Sequence, residues 1–201
     1  MSKQTAQQEA INRAVSRLKE CDDMAARLSR LGFAQPREDS VAMRVFGLDT
    51  ILNLEDFSIT DAKTGSPLKP GDQILLLHYL LCEYSIEPTG EMITFRNFTG
   101  GQFYWQPFLS RSINPLVARI GNNLDLLKKN LSKFDWTPMN AGDFGARIHA
   151  FGRIYVDLVY HLGDDEFPPA AEVIFDSVLK KVYEAEDAAF LASRICLTLL
   201  Y

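Results

Sequence analysis

Four acidic side chains, Asp164, Asp165, Glu166 and Asp176, crowd one short stretch of the chain. Hard divalent cations are held by several converging carboxylate oxygens. A tight turn at 164–166 that folds back toward Asp176 would therefore make a metal site, and with it a divalent-metal-dependent enzyme. The competing reading is structural: Asp164 and Asp165 shape the turn, Glu166 is solvated and Asp176 caps a local turn. No alternation of acidic residues around a central glycine is present, so the set is not an EF-hand loop. A second group centres on His78 and Tyr79, which interrupt the apolar run 74–82 (ILLLHYLLC). An imidazole among apolar neighbours is a candidate base or ligand, and equally a core histidine bonded to a backbone carbonyl. A third group is aromatic. Phe95, Phe103, Tyr104 and Trp105, with Phe98 and Phe108, surround the pair Gly100–Gly101. Large flat side chains beside flexible backbone can line a pocket for a planar ligand, or simply fill a second patch of core.

Other chemistry is absent or incomplete. His149 and His161 lie too far apart along neighbouring strands to oppose each other in one two-histidine site. Asp143-Phe-Gly145 matches a kinase tripeptide, but no glycine-rich loop, strand lysine or His-Arg-Asp accompanies it. There is no GxSxG, GxGxxG or GxxxxGK[ST]. Cys21, Cys82 and Cys196 are scattered and form no CxxC, which argues against a zinc ribbon or a thioredoxin-type site. No motif specifies a cofactor.

The elements that must position these groups follow from composition and period. With 201 residues, 47% hydrophobic and 23% charged, the chain has ordinary globular composition and is expected to form a single domain over 1–201. Basic residues number 21 against 26 acidic, a net charge of −5, which argues against a nucleic-acid partner or a basic membrane-surface helix. The opening MSKQTAQQEA lacks the apolar segment of a secretory signal, so the expected address is the cytoplasm.

Ile11, Val15, Leu18, Cys21, Ala25, Leu28 and Leu31 form one stripe at helical spacing, predicting an N-terminal helix over 8–31 with Gly32 beyond its end. Such a stripe packs on the protein's own sheet or on a partner helix. The body, 40–201, opens with short strands at 41–45, 50–54 and 57–60. A buried central helix at 72–84 follows, with Pro70 at its start. A strand is expected at 92–97, a helix at 116–134 with Gly121 as a kink, and a loop at 135–145. Ile154, Val156, Leu158, Tyr160 and Leu162 give the clearest period of two, joined to a preceding strand through Gly152–Arg153. A further strand at 173–176 and a C-terminal helix complete an α+β fold, a mostly antiparallel sheet packed with helices.

Several of these stretches occur together in a set order: 73–80 (QILLLHYL), 90–96 (GEMITFR), 100–104 (GGQFY), 163–168 (GDDEFP), 174–176 (IFD) and 186–187 (ED). In order and spacing they resemble a prokaryotic domain-of-unknown-function family found mainly in anaerobic bacteria and archaea. The resemblance spans roughly 40–200. Some members carry an added cysteine-rich iron–sulfur segment, which implies anaerobic redox or cofactor metabolism; these 201 residues hold no such segment. The expectation is an accessory or binding protein for a small-molecule ligand or a protein partner, using His78, Tyr79, Phe95, Phe103, Tyr104 and Trp105. The alternatives are a metal-dependent enzyme built on the acidic set, or an interaction module that pairs through the N-terminal helix.

Overall fold

The computed structural model describes residues 3–201. It is α+β, with antiparallel strand pairing, and its contacts divide into two compact units: 1–87 with 151–153, and 88–150 with 154–201. No helix of the described residues is long and apolar enough to cross a membrane.

In the first unit the expected N-terminal helix is two helices, α1 (Lys3–Lys19) and α2 (Met24–Arg30). Helical apolar spacing runs unbroken through the junction, but Asp23 overrides it. Asp23 takes a left-handed backbone (φ 46°) and its carboxylate accepts the Ala26 N–H at 2.9 Å, capping α2. The first part of the stripe packs on a helix: α1 lies against α3 (Pro70–Leu80), with Ala14 and Leu18 buried. Strands β1 (Ser40–Val45) and β2 (Leu48–Asn53) form a hairpin whose turn residues, Phe46 and Gly47, both have positive φ. That is the handedness a two-residue hairpin turn requires. Strand β3 (Ile59–Asp61) adds to β2.

Helix α3 begins at Pro70, as expected, and ends earlier than expected, at Leu80. Leu75, Leu76, Leu77 and Leu80 are all buried. Each contributes about 1.5–3 kcal/mol of burial. The helix stops where Arg27 reaches it. The buried Arg27 guanidinium donates through one nitrogen to the carbonyls of Leu80, Leu81 and Cys82. A cation on the last carbonyls is favoured by both hydrogen bonding and the helix dipole.

In the second unit the sheet runs β5–β6–β7–β8–β4, from β5 (Asp135–Met139), β6 (Phe144–Phe151), β7 (Ile154–His161), β8 (Ala170–Asp176) and β4 (Met92–Thr94). Helices α4 (Trp105–Arg111), α5 (Ile113–Ile120) and α7 (Ala185–Thr198) pack together, and α5 also lies on β8. The predicted helix at 116–134 breaks in two at Gly121 (φ 54°), giving α5 and α6 (Leu124–Leu131). The expected strand at 92–97 keeps only its first half, because Asn97 accepts the Thr94 N–H and turns 95–97 into a single 3₁₀ turn. The expected loop at 135–145 is in part strand β5, which tolerates Pro138 because it pairs on one side alone. Helix α7 has no basic residue in its last turn. Its end is met instead from α5, α6 and the loop that follows α6: Arg119, Asn130 and Lys133 donate to the carbonyls of Leu200, Leu199 and Thr198.

Candidate functional site

The sequence-selected residues separate by unit. His78 and Tyr79 belong to the first, and the aromatic group to the second. Tyr79 is fully buried, and its hydroxyl is occupied twice. It donates to the Leu31 carbonyl at 2.7 Å and accepts the Arg153 N–H at 3.1 Å. Its ring meets Phe33 edge-on at 5.7 Å and lies 5.5 Å from Phe151. Gly152 closes over it; a Cβ there would stand 2.6 Å from the tyrosine ring. Burial raises the pKa of this phenol above its ordinary value. Tyr79 is therefore a buried tie between backbone segments, its one hydroxyl proton already committed to Leu31. His78, one residue earlier on α3, is half-buried.

The acidic set is drawn apart. Asp164 accepts the N–H groups of Phe167 and Glu166 at 2.7 and 2.9 Å, and these bonds, Phe167 first, hold its carboxyl below the usual range. It is a turn-shaping residue beside the start of β8. Asp176 ends the same strand, six residues from Ala170, about 20 Å away at ~3.3 Å per residue. There it accepts Thr89 N–H and O–H, Gly90 N–H and Val178 N–H at 2.7–3.0 Å. Burial works to raise the Asp176 pKa, but the hydrogen bonds from Val178, Thr89 and Gly90 outweigh it, and the net shift is downward. Among the described residues no group of three or more His, Cys, Asp or Glu side chains is placed to hold a metal ion. His149 and His161 are also separate: His149 sits within β6 against the Tyr155 ring, and His161 ends β7.

The aromatic group does assemble. Phe95 is buried and stacks on Phe108 at 4.2 Å with planes 3° apart; Phe108 in turn stacks on Trp105 at 5.4 Å. The Arg96 guanidinium lies over the Trp105 ring, 4.3 Å from its centre. This ladder is anchored below by Phe98, edge-on to Phe175 at 5.6 Å. Phe95 is thus core rather than ligand-facing. Phe103 and Tyr104 take the opposite role, being 89% and 63% exposed. They project from a hydrogen-bonded turn in which Gly101 N–H bonds to Phe98 O at 2.8 Å and Phe103 N–H to Gly100 O at 3.0 Å. Gly101 is required there, since a Cβ would fall 2.2 Å from the Phe95 carbonyl oxygen.

Sequence reasoning missed one group. On the alternate face of the β6–β7 hairpin, Arg147 and Asp157 form a two-pronged ion pair, both contacts 2.8 Å, and this hydrogen bonding raises the arginine pKa. Tyr155 and His149 flank it, their ring centres 4.9 Å apart. The signal was present in the polar residues that alternate with Ile154, Val156 and Leu158.

The protein is α+β, and of the sequence-selected groups the aromatic one is brought into contact, through Phe95, Phe108 and Trp105. The model of the domain of unknown function DUF3786 matches residues 23–198, so the chain belongs to that family. Neither a curated protein nor a solved structure matches it.

Proposed function

We propose that the chain is a binding protein that docks a protein partner through the aromatic turn at 100–105. The observation that carries this is the near-complete exposure of Phe103, with Tyr104 beside it, on a turn braced by the Arg96–Trp105–Phe108–Phe95 ladder. Burying one large apolar side chain is worth about 1.5–3 kcal/mol. Interface hot spots favour Tyr, Trp and Arg, and a rigid display limits the ordering cost of association. Small-molecule sites are concave. The open surface depression of about 530 Å³ at Ile120, Asn122, Asn123, Leu124, Asp125 and Leu162 involves none of the aromatic residues. Protruding aromatics suit a partner that supplies the cleft, and the exposed Arg96 calls for a carboxylate at the cleft's rim.

The test replaces Phe103 with photoreactive benzoylphenylalanine, and separately Phe167, a second exposed phenylalanine. Irradiation in cells should give a heterologous product at position 103 that is absent at 167. The purified partner should then bind Phe103→Ser at least about tenfold more weakly, equivalent to ~1.4 kcal/mol. No position-specific product, a product that is a second copy of this chain, or unchanged affinity of Phe103→Ser would overturn the proposal.

A further inference from the structure

The second unit carries a pre-oriented arginine on a different surface. Arg147 uses Nε and Nη2 to grip the two oxygens of Asp157. A guanidinium has five N–H donors in a fixed fork. Two point at Asp157, so both hydrogens of Nη1 and one of Nη2 are left on the outer edge. The pair is lopsided in depth: the Asp157 side chain is 3% exposed and that of Arg147 46%. The buried carboxylate holds the base of the fork, and the arginine side chain as a whole is half exposed. A pair of this kind is a poor stabilising device, since apolar replacements of buried ion pairs are commonly neutral or better. What it does supply is one fixed direction for the guanidinium.

The neighbours are placed to share that edge. Arg147 and His149 are two residues apart on β6, and Tyr155 and Asp157 two apart on β7, so each pair shares a sheet face. The contacts between Arg147 and Asp157 and between His149 and Tyr155 show that it is the same face. Tyr155 is exposed, and its hydroxyl is an available donor. Two acids adjoin the group. Asp135 is the cross-strand partner of His149, and Asp176 interacts with Arg147 while accepting four hydrogen bonds of its own. Any anion must therefore engage Arg147 from its outer edge, where Asp157 does not reach.

The geometry points to a surface binding site for a carboxylate or phosphate oxyanion, gripped end-on by Arg147 with Tyr155 as a second donor. End-on, two-pronged recognition of a planar or tetrahedral oxyanion is what a pre-oriented guanidinium does best. This site is independent of the aromatic turn.

The experiment titrates the full chain with inorganic phosphate and, separately, with malonate at constant ionic strength, following the His149 ring and Tyr155 ring resonances. Saturable shifts of both are expected with at least one probe; which of the two binds more tightly distinguishes a phosphate source from a carboxylate source. Arg147→Gln should weaken that binding at least about tenfold. Arg147→Lys should not restore it, because the fork is lost. Asp157→Asn should also weaken it by releasing the guanidinium, with native circular dichroism confirming that each variant is folded. If neither probe saturates, or if the folded Arg147→Gln binds as the parent does, the site does not exist. Should Asp157→Asn unfold the chain, Arg147→Gln alone decides.

Discussion

Replacing Tyr79 with phenylalanine separates a structural tyrosine from a ligand-binding one. The ring and its contacts with Phe33 and Phe151 are retained, and only the hydroxyl is lost. The Leu31 carbonyl then loses a buried donor and Arg153 N–H loses its acceptor. A buried group left without its partner costs about 1–3 kcal/mol, and the more accessible Arg153 N–H adds up to ~1 kcal/mol. Tyr79→Phe is expected to destabilise the chain by about 2–3 kcal/mol in urea unfolding with an unchanged m-value. At ~2–4 °C per kcal/mol for a chain of this size, the melting temperature should fall by about 4–12 °C. The phenol also predicts a pH dependence. Its folded pKa is raised above the ordinary value of 10.0, so the folded state keeps the proton where the unfolded state releases it. Its contribution is complete below about pH 10 and declines as pH rises beyond that. This alkaline decline should be shallower in Tyr79→Phe. A variant within ~0.5 kcal/mol of the parent, with the same alkaline profile, would refute the reasoning.

Other substitutions read other parts of the structure. Gly101→Ala must move backbone, since its Cβ would meet the Phe95 carbonyl at 2.2 Å; it should cost about 1–3 kcal/mol by thermal melt and weaken partner docking with it. Phe103→Ser, by contrast, should leave the urea-derived stability within ~0.5 kcal/mol of the parent, because the ring touches water. Asp176→Ala removes the cap of the 3₁₀ turn at Ser177–Lys181 and should lower urea-derived stability by about 1–2 kcal/mol. Because the Asp176 pKa is lowered in the fold from 3.8, its contribution is complete above that value and is lost as pH falls below it. Mg²⁺, Mn²⁺ and Ca²⁺ should leave the melting temperature unchanged, since the two halves of the acidic set stand at opposite ends of β8; a saturable rise with any of them would restore the metal reading.

The elements that could be read ahead of the structure are those whose period and punctuation agree. Pro70 at the start of α3 and the Gly152–Arg153 hairpin both combine an apolar pattern with a punctuating residue, a proline that fixes φ and a glycine that accepts positive φ. Where pattern and punctuation conflict, the pattern misleads. Apolar spacing carries straight across Asp23, where a left-handed backbone and the side-chain bond to Ala26 start a second helix. Pro138 disguises β5, because a strand paired on one side does not need its N–H. Residue type alone also does not separate site from core at Tyr79 and Phe95, which have the chemistry of a site and the burial of a core. The Arg147–Asp157 pair stayed hidden because it joins positions on two strands, and strand register is set by the turn and bulges as well as by period.

Amide hydrogen exchange on the complex with the cross-linked partner tests the central claim most directly. Docking through the aromatic turn predicts slowed exchange at 100–106 and around Arg96, with the β6–β7 hairpin unchanged. Protection that falls elsewhere, with 100–106 exchanging as in the free chain, would contradict it.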